Sequence, residues 1–219
     1  MTGDLFAGVG VEETQPSRET MAEGAVLLRG FVLGRQDELL AVLREVIAAA
    51  PFRHMVTPGG FTMSVAMTNC GKVGWVTDRR GYRYDANDPE SGQPWPAMPP
   101  VLLRLAYDAA EEGGFKDFAP DACLINRYVP GAKMSLHQDK DETDFSAPIV
   151  SVSLGLPATF LFGGLKRSDK TQRYRLTHGD VVVWGGPSRL FYHGVAPLAE
   201  GEHPLLKRQR INLTFRKTA

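Results

Sequence analysis

The stretch from Asn126 to Asp141 reads N-R-Y-V-P-G-A-K-M-S-L-H-Q-D-K-D, with His137-Gln138-Asp139 near its end. In an extended strand, residues two apart point to the same face, so His137 and Asp139 are expected to project together. A third ligand is expected from a distant strand, and His193 in L-F-Y-H-G is the natural candidate. Two histidines and one carboxylate on one side of a metal leave its other side open, a pattern typical of non-haem Fe(II) sites.

The H-x-D tripeptide occurs by chance in many chains, and a lone histidine is more often a packed core or surface residue. A second segment favours the metal site over that interpretation. Residues 210–216 read R-I-N-L-T-F-R, so Arg210, Asn212, Thr214 and Arg216 share one strand face. Two guanidiniums on an inward face are costly to desolvate unless an anion meets them. A dicarboxylate such as 2-oxoglutarate fits, with a keto-acid end for iron and a far carboxylate for a bidentate arginine.

The two arginines cannot both meet this small anion without help, because six residues of strand span about 20 Å. Either the long side chains converge, or one of them serves a neighbouring carboxylate. We assign Arg210 to the far carboxylate of 2-oxoglutarate and Arg216 to a position nearer the iron end.

The chain resembles the AlkB-type Fe(II)/2-oxoglutarate-dependent nucleic-acid dealkylases from about Gly24 to its C-terminus. The resemblance is carried by the ordered segments V-T-P-G-G-F-T-M-S-V-A-M-T-N-C-G, W-P-A-M-P, D-A-C-L-I-N-R-Y-V-P-G, S-L-H-Q-D-K-D-E, F-G-G-L-K-R, H-G-D-V-V-V-W-G-G and R-I-N-L-T-F-R. So many segments in one order are highly specific. No departure from the family pattern occurs at the metal or co-substrate positions.

The resemblance implies three groups of site residues. The metal ligands and catalytic residues would be His137, Asp139 and His193; the 2-oxoglutarate residues Asn126, Tyr128, Arg210, Asn212 and Arg216; and the substrate-binding residues Thr57, Met67, Trp75, Tyr82, Asp141 and Arg167. The cofactors implied are Fe(II), 2-oxoglutarate as co-substrate, and O2.

The implied reaction is oxidative demethylation of 1-methyladenine and 3-methylcytosine, with succinate, CO2 and formaldehyde as products. Such bases are cationic, so one stacked between Trp75 and His137 gains cation–π attraction. They have also lost Watson–Crick pairing, which lowers the work of extruding them. The carboxylate of Asp141 is expected to meet the exocyclic amine and the charge. The expected partner is single- or double-stranded DNA carrying alkylated bases, with RNA as an alternative, and the expected state is a monomer.

The composition is ordinary for a soluble globular protein. The chain has 219 residues, 25 basic and 25 acidic, and a net charge of zero, which argues against an extended non-specific nucleic-acid coat. The two cysteines, Cys70 and Cys123, make neither a disulfide framework nor a CxxC knuckle and are interpreted as buried free thiols. With no signal peptide and no membrane span recognised, the cytoplasm is the expected location.

The pattern along the chain predicts an α+β fold dominated by strands. Residues 1–23 are polar and acidic and are expected to be a flexible arm, followed by a single dioxygenase domain over 24–219. Two support helices are predicted at Asp37–Ala50 and Pro99–Glu111. Residues 52–98 mix aromatic and basic side chains, a composition that suits equally a β-hairpin covering the core and a lid that grips a polynucleotide. The family resemblance implies the nucleotide-recognition lid. Short strands over 122–219 predict a jelly roll, the double-stranded β-helix. Within it a strand at Leu190–Gly194 would carry His193.

Two other functions stay open on residues alone. A 2-oxoglutarate hydroxylase acting on protein side chains or a small metabolite would carry the same iron and co-substrate residues. The aromatic and basic region 52–98 discriminates against it. A non-catalytic jelly-roll binding module is the other alternative, and the complete His137, Asp139, His193 set with Arg210 argues against that.

Overall fold

A computed structural model describes residues 17–219. It contains two helices, α1 (Gln36–Ala49) and α2 (Pro100–Glu112). The strands are β1 (Ser17–Ala22), β2 (Ala25–Arg29), β3 (Arg53–Val56), β4 (Thr62–Gly71), β5 (Gly74–Asp78), β6 (Gly81–Asp85), β7 (Ala122–Tyr128), β8 (Met134–His137), β9 (Ile149–Gly155), β10 (Ala158–Phe162), β11 (Gln172–Leu176), β12 (Val181–Trp184), β13 (His193–Val195) and β14 (Arg210–Arg216).

The strands form two large antiparallel sheets and one hairpin. The main sheet has eight strands in the order β1-β2-β12-β9-β14-β7-β4-β3, and the minor sheet has four in the order β11-β10-β13-β8. Strands β5 and β6 pair only with each other. The predicted jelly-roll core with two supporting helices is therefore confirmed.

Two apolar layers hold this arrangement together. One packs α1 and α2 against the main sheet and includes Ile211, Leu213 and Phe215 of β14. The other lies between the two sheets and joins Trp184 of the main sheet to Phe160 of the minor sheet. Strand β14 is buried along its whole length, so its alternation separates a helix-facing apolar side from a polar side that faces the space between the sheets.

Residues that favour helix termini stand at the ends of both helices. Asp37 and Glu38 occupy the first turn of α1, where carboxylates interact favourably with the helix dipole, and its buried side is a leucine and valine stripe. Helix α2 opens with Pro100, whose missing amide donor is not needed at that position, and Gly113 follows its end.

Three boundaries differ from the sequence predictions. Ser17–Ala22, expected to belong to the flexible arm, instead pairs with β2 as the edge of the main sheet, because the chain turns tightly at Gly24 (φ 74°). Residues 1–16 of that predicted arm lie outside the described residues. In the predicted lid, β3 and β4 extend the main sheet through β7, so the separate hairpin is only β5–β6. The strand expected at Leu190–Gly194 is His193–Val195.

Within residues 17–219, neither helix has the length and apolar character needed to cross a bilayer.

Candidate active site

The three predicted metal ligands come together at one end of the paired strands β8 and β13 in the minor sheet. His137 ends β8 and His193 begins β13, and the two residues are direct cross-strand partners with ring centroids 4.4 Å apart. Gly194 permits this close pairing, because a Cβ there would lie 2.8 Å from the Met134 carbonyl oxygen. The His137, Asp139 and His193 ligand atoms all lie within 4.8 Å of one another.

Asp139 reaches this group by a different route from the one predicted. Strand β8 ends at His137, so Asp139 lies in the irregular segment that follows rather than on the same face of a continuing strand. Its Oδ1 atom lies 3.6 Å from His137 Nε2 and its Oδ2 atom 3.7 Å from His193 Nε2. The carboxylate is turned back towards the imidazoles because Arg216 holds it from behind.

Hydrogen bonds orient both imidazoles. Nδ1 of His137 lies 2.8 Å from the Ser135 carbonyl oxygen, and Nδ1 of His193 lies 2.9 Å from the Phe191 carbonyl oxygen. A carbonyl can only accept, so each Nδ1 carries the proton and each Nε2 presents a lone pair to the cavity. Burial, aided by the neighbouring His137, lowers the pKa of His193 to about 4, so this ring is neutral and able to ligate near pH 7.

Arg216 faces Asp139 at the back of the site. Its Nε and Nη2 atoms donate to Asp139 Oδ2 over 3.1 and 2.7 Å. Burial alone would raise the pKa of Asp139, but the Arg216 guanidinium and the two imidazoles outweigh it and hold the pKa below its usual range. The sequence left two possibilities for the arginine pair: both side chains converge on the anion, or one pairs with a neighbouring carboxylate. Arg216 shows the second, because it pairs with Asp139. Its assignment to 2-oxoglutarate stays a prediction.

Arg210 has the opposite character. It is 1 % exposed, its Nη2 atom donates to Ser153 Oγ over 3.0 Å, and its guanidinium lies 5.0 Å from the Tyr128 ring centre. Among the described residues its Nε and Nη1 atoms have no hydrogen-bond partner. Burial lowers the pKa of Arg210, the mark of a cation without a nearby carboxylate. It lines the cavity and can accept an anion there.

The two asparagines differ in how far their amides are used. Asn212 Nδ2 donates to Ser151 Oγ and the Val152 carbonyl oxygen, and Asn212 Oδ1 accepts from Asn126 Nδ2 and Thr214 Oγ1. Oδ1 of Asn126 has no partner within the part of the chain that the structure describes. Asn126 therefore has an atom to offer a ligand, whereas Asn212 fixes its neighbours.

The hairpin β5–β6 carries the aromatic residues to the opening. Trp75 and Tyr82 stack with ring centroids 5.7 Å apart and planes at 22°. The Trp75 indole Nε1 donates to Asp141 Oδ2 over 2.8 Å. One carboxylate oxygen of Asp141 is thus taken by the indole and the other can meet a ligand. The opening carries an aromatic platform with a negative charge beside it.

The remaining predicted substrate residues line the same cavity. Thr57 is half-buried in the turn between β3 and β4, where its Oγ1 accepts from the Phe61 amide. Met67 is fully buried on β4 and pairs with Asn126 across the sheet. Arg167 is exposed in the connection between β10 and β11.

All fourteen predicted site residues line one cavity of about 850 Å³. We name its buried part the floor, which comprises His137, Asp139, His193, Asn126, Tyr128, Arg210, Asn212 and Arg216. We name its opening the mouth, which comprises Thr57, Trp75, Tyr82, Asp141 and Arg167.

Several residues that lie behind the floor were not predicted from the sequence. Glu142 belongs to an acidic run that suggests a solvated loop, yet it is buried against Arg189 and Arg216. Ser151 and Ser153 on β9 were also missed, although they occupy alternate positions, as cavity-facing residues of a strand do. No sequence signal singles out Arg189, since its side-chain partners lie 42 to 50 residues away.

The donor and acceptor groups of the floor suit an iron ion and a dicarboxylate. Two neutral-capable imidazoles and one carboxylate suit a divalent transition metal and leave coordination positions for a bidentate ligand. The unpartnered Arg210 donors and the unpartnered Asn126 oxygen lie buried in the same cavity. A buried guanidinium with unused donors is costly alone and is compensated by a carboxylate.

Comparisons with known proteins agree. Residues 24–216 match the family model described as the 2OG-Fe(II) oxygenase superfamily. The chain is 59% identical to the alpha-ketoglutarate-dependent dioxygenase AlkB of Escherichia coli, over 98% of this chain and 97% of that protein. It is 32% identical to the DNA N(6)-methyladenine demethylase ALKBH1D of Arabidopsis thaliana, over 93% of this chain and 51% of that protein. The solved structure of OsALKBH1 superposes with a TM-score of 0.79 at 30% identity, covering 92% of this chain and all of that one.

The family uses Fe(II), 2-oxoglutarate and O2, and the group of His137, Asp139 and His193 suits the metal ion. The match spans nearly the whole described chain and includes every strand that carries a floor residue. The chain therefore belongs to the 2OG-Fe(II) oxygenase superfamily as a close relative of AlkB and is an Fe(II)/2-oxoglutarate-dependent dioxygenase.

Proposed function

We propose that this dioxygenase removes N-alkyl groups from damaged bases in DNA, with 1-methyladenine and 3-methylcytosine as its substrates and RNA as a second carrier of them. The observation that supports this most is the mouth, where the stacked Trp75 and Tyr82 stand beside the Asp141 carboxylate over the metal-binding group. An aromatic face and a carboxylate suit a flat cationic ring. A relative named as a DNA demethylase supports the same substrate class.

In the proposed chemistry, His137, Asp139 and His193 would hold Fe(II), which with 2-oxoglutarate and O2 would supply the oxidising power to hydroxylate the N-alkyl carbon. The hemiaminal product then releases formaldehyde and the unmodified base. The co-substrate 2-oxoglutarate is converted to succinate and CO2.

The floor residues have distinct tasks in this proposal. Arg210 binds the far carboxylate of 2-oxoglutarate with its two unused donors, and Asn126 and Tyr128 complete that end of the cavity. Asn212 holds Asn126 and the serines of β9 in register. Arg216 keeps the Asp139 carboxylate ionised and pointed at the imidazoles.

The mouth residues recognise the nucleotide. Trp75 stacks on the extruded base opposite His137, and Asp141 accepts hydrogen bonds from its exocyclic amine while balancing its charge. Met67 supplies an apolar contact. Thr57, Tyr82 and Arg167 contact phosphates on either side, which positions the strand without reading its sequence.

We further propose that residues 24–219 act as one dioxygenase domain and that the protein works as a monomer in the cytoplasm. The family match over residues 24–216 supports the domain. The buried free thiols of Cys70 and Cys123 support a reducing compartment.

The test is a product assay on oligonucleotides that carry one 1-methyladenine, one 3-methylcytosine or no lesion, as single-stranded DNA, duplex DNA and RNA. Formaldehyde and succinate are expected in equal amounts with methylated strands, and little of either with unmodified ones. Succinate formation that no methylated strand stimulates, with no formaldehyde released, would favour hydroxylation of a protein or metabolite instead.

A further inference from the structure

We propose that Glu142 is a positioning residue that links the hairpin β5–β6 to the metal-binding carboxylate of Asp139. This inference rests on the proposed function, because it takes that hairpin to be the part of the protein that holds the damaged base. Glu142 does not line the cavity, and its side chain is only 1 % exposed. A buried carboxylate so close to a metal site requires a reason.

Glu142 contacts three buried or half-buried groups at once. Its Oε1 accepts a hydrogen bond from the Tyr84 hydroxyl over 2.5 Å and lies 3.3 Å from Arg216 Nε. Its Oε2 accepts from Arg189 Nη2 over 3.1 Å. Each carboxylate oxygen therefore meets a guanidinium, and one of them also meets the hairpin.

The two arginines hold Asp139 from two sides. Arg189 Nη1 donates to the Asp139 backbone carbonyl over 2.8 Å, and Arg216 Nη2 donates to the Asp139 carboxylate over 2.7 Å. Among residues 17–219, the segment that carries Asp139 pairs with no strand, since β8 ends at His137. Glu142 is the shared counter-charge that keeps both guanidiniums in place.

The charges in this cluster balance. Asp139 and Glu142 contribute two negative charges, and Arg189 and Arg216 contribute two positive charges, all buried. Removal of the Glu142 charge leaves two buried cations facing one carboxylate. Arg216 then competes more strongly with a metal for Asp139, and a divalent cation enters a site with excess positive charge.

Tyr84 brings the hairpin into the same cluster. It lies on β6 directly opposite Trp75 on β5, so the strand pair that presents Trp75 at the mouth also sets the Tyr84 hydroxyl on Glu142. Burial raises the pKa of Tyr84, so the phenol stays protonated and donates. A base that fixes Trp75 thereby fixes Tyr84, and the Glu142 side chain with it.

The first experiment measures Mn(II) binding to metal-free full-length protein by calorimetry, without turnover. Glu142→Gln is expected to raise the Mn(II) dissociation constant about 10- to 100-fold, the usual range for groups that support metal ligands. Asp180→Asn is the matched control, because Asp180 is an equally buried carboxylate paired with Arg29 outside the cavity. Equal Mn(II) affinity of Glu142→Gln and wild type, or an equal loss in both variants, overturns the proposal.

The second experiment measures Mn(II) affinity with and without a saturating oligonucleotide that carries 1-methyladenine. In wild type, the oligonucleotide is expected to tighten Mn(II) binding about fivefold, at the low end of typical site-to-site coupling. Tyr84→Phe keeps the ring and the charges but removes the hydroxyl, so its Mn(II) affinity without oligonucleotide should stay within about twofold of wild type while the oligonucleotide effect disappears. An oligonucleotide effect of wild-type size in Tyr84→Phe, or none in wild type, overturns the link.

These outcomes are separate from those of the proposed function. The first measurement uses neither oligonucleotide nor turnover, so a failure to release formaldehyde leaves the expected loss of Mn(II) affinity in Glu142→Gln unchanged. Normal dealkylation by a wild type that shows no oligonucleotide effect on Mn(II) would instead refute only the link through Glu142.

Discussion

The floor and the mouth of the cavity are built in different ways. Most floor side chains stand on β7 and β14 in the middle of the main sheet, and Arg210, Asn126, Asn212 and Arg216 are all at most 6 % exposed. The mouth side chains come from a two-stranded hairpin and three connections, and they are half-buried or exposed. A pre-formed floor suits an invariant small co-substrate, whereas an open mouth suits a polymer that must enter and leave.

The strand that carries the floor shows why it is rigid. Ile211, Leu213 and Phe215 anchor the other face of β14 in the helix-facing core. A slip of one residue would send those side chains into the cavity and Arg210 into the core, so the register is strongly specified. The mouth hairpin has a smaller apolar anchor, Val76 of β5, and its order depends also on contacts such as that between Trp75 and Asp141.

The largest effect is expected from the floor, where Asp139→Ala removes one metal ligand and leaves Arg216 with Glu142 as its remaining carboxylate partner. Loss of a group behind a ligand typically costs 10- to 100-fold, so loss of the ligand itself should lower turnover by more than about 100-fold. Succinate production is the measurement. Asp144→Ala removes a surface carboxylate of the same acidic run as the control. Wild-type succinate production by Asp139→Ala would reject the ligand assignment.

The second prediction separates the co-substrate from the nucleic acid. Arg210→Lys keeps the charge but loses the planar fork, so the KM for 2-oxoglutarate should rise about tenfold or more, since hydrogen bonds to charged groups contribute about 1.5–3 kcal/mol. The KM for the oligonucleotide should not change.

Arg208→Lys is the matched control for Arg210→Lys, because Arg208 is exposed and paired with Glu200. The unfolding free energy of the ligand-free Arg210→Lys protein should not fall by more than about 1 kcal/mol, since unused buried donors contribute little stability. An unchanged KM for 2-oxoglutarate would place the anion elsewhere.

The third prediction concerns the mouth alone. Trp75→Ala removes the base stack and should weaken oligonucleotide binding by about 1–3 kcal/mol, roughly five- to 150-fold. Trp75→Phe keeps an aromatic face and loses only the indole donor to Asp141, so its loss should be smaller. Affinity is measured by fluorescence anisotropy, and Tyr107→Ala on α2 removes an exposed aromatic that lies outside the cavity. If Trp75→Ala lost as much affinity for 2-oxoglutarate as for the oligonucleotide, the floor and the mouth would not be separate binding regions.

The floor could be predicted from local sequence patterns to a greater extent than the mouth. The alternation of R-I-N-L-T-F-R predicted which residues of β14 share the inward polar face, and these residues line the cavity, because period two is a local property of strands. Both helices were predicted to within a residue or so at each end, since an apolar stripe and a following Pro or Gly mark them.

The errors lie where long-range contacts decide. The pairing of Ser17–Ala22 with β2 depends on a free sheet edge that a polar sequence does not reveal. Asp139 was expected to share a strand with His137, yet its position is set by Arg189 and Arg216, which lie fifty and seventy-seven residues away. The mouth residues were recognisable only through the family resemblance, because hairpin tips and connections have no periodicity.

The measurement that tests the central claim most directly is kcat/KM of Asp141→Asn and wild type on four matched oligonucleotides. Two carry the cationic bases 1-methyladenine and 3-methylcytosine, and two carry the neutral bases 1-methylguanine and 3-methylthymine. Because Asn keeps the shape and removes the charge, the ratio of cationic to neutral kcat/KM should fall about tenfold, in line with about 1.5–3 kcal/mol for hydrogen bonds to charged groups. A uniform fall across all four oligonucleotides, or no fall, would contradict the mouth as the reader of a charged base.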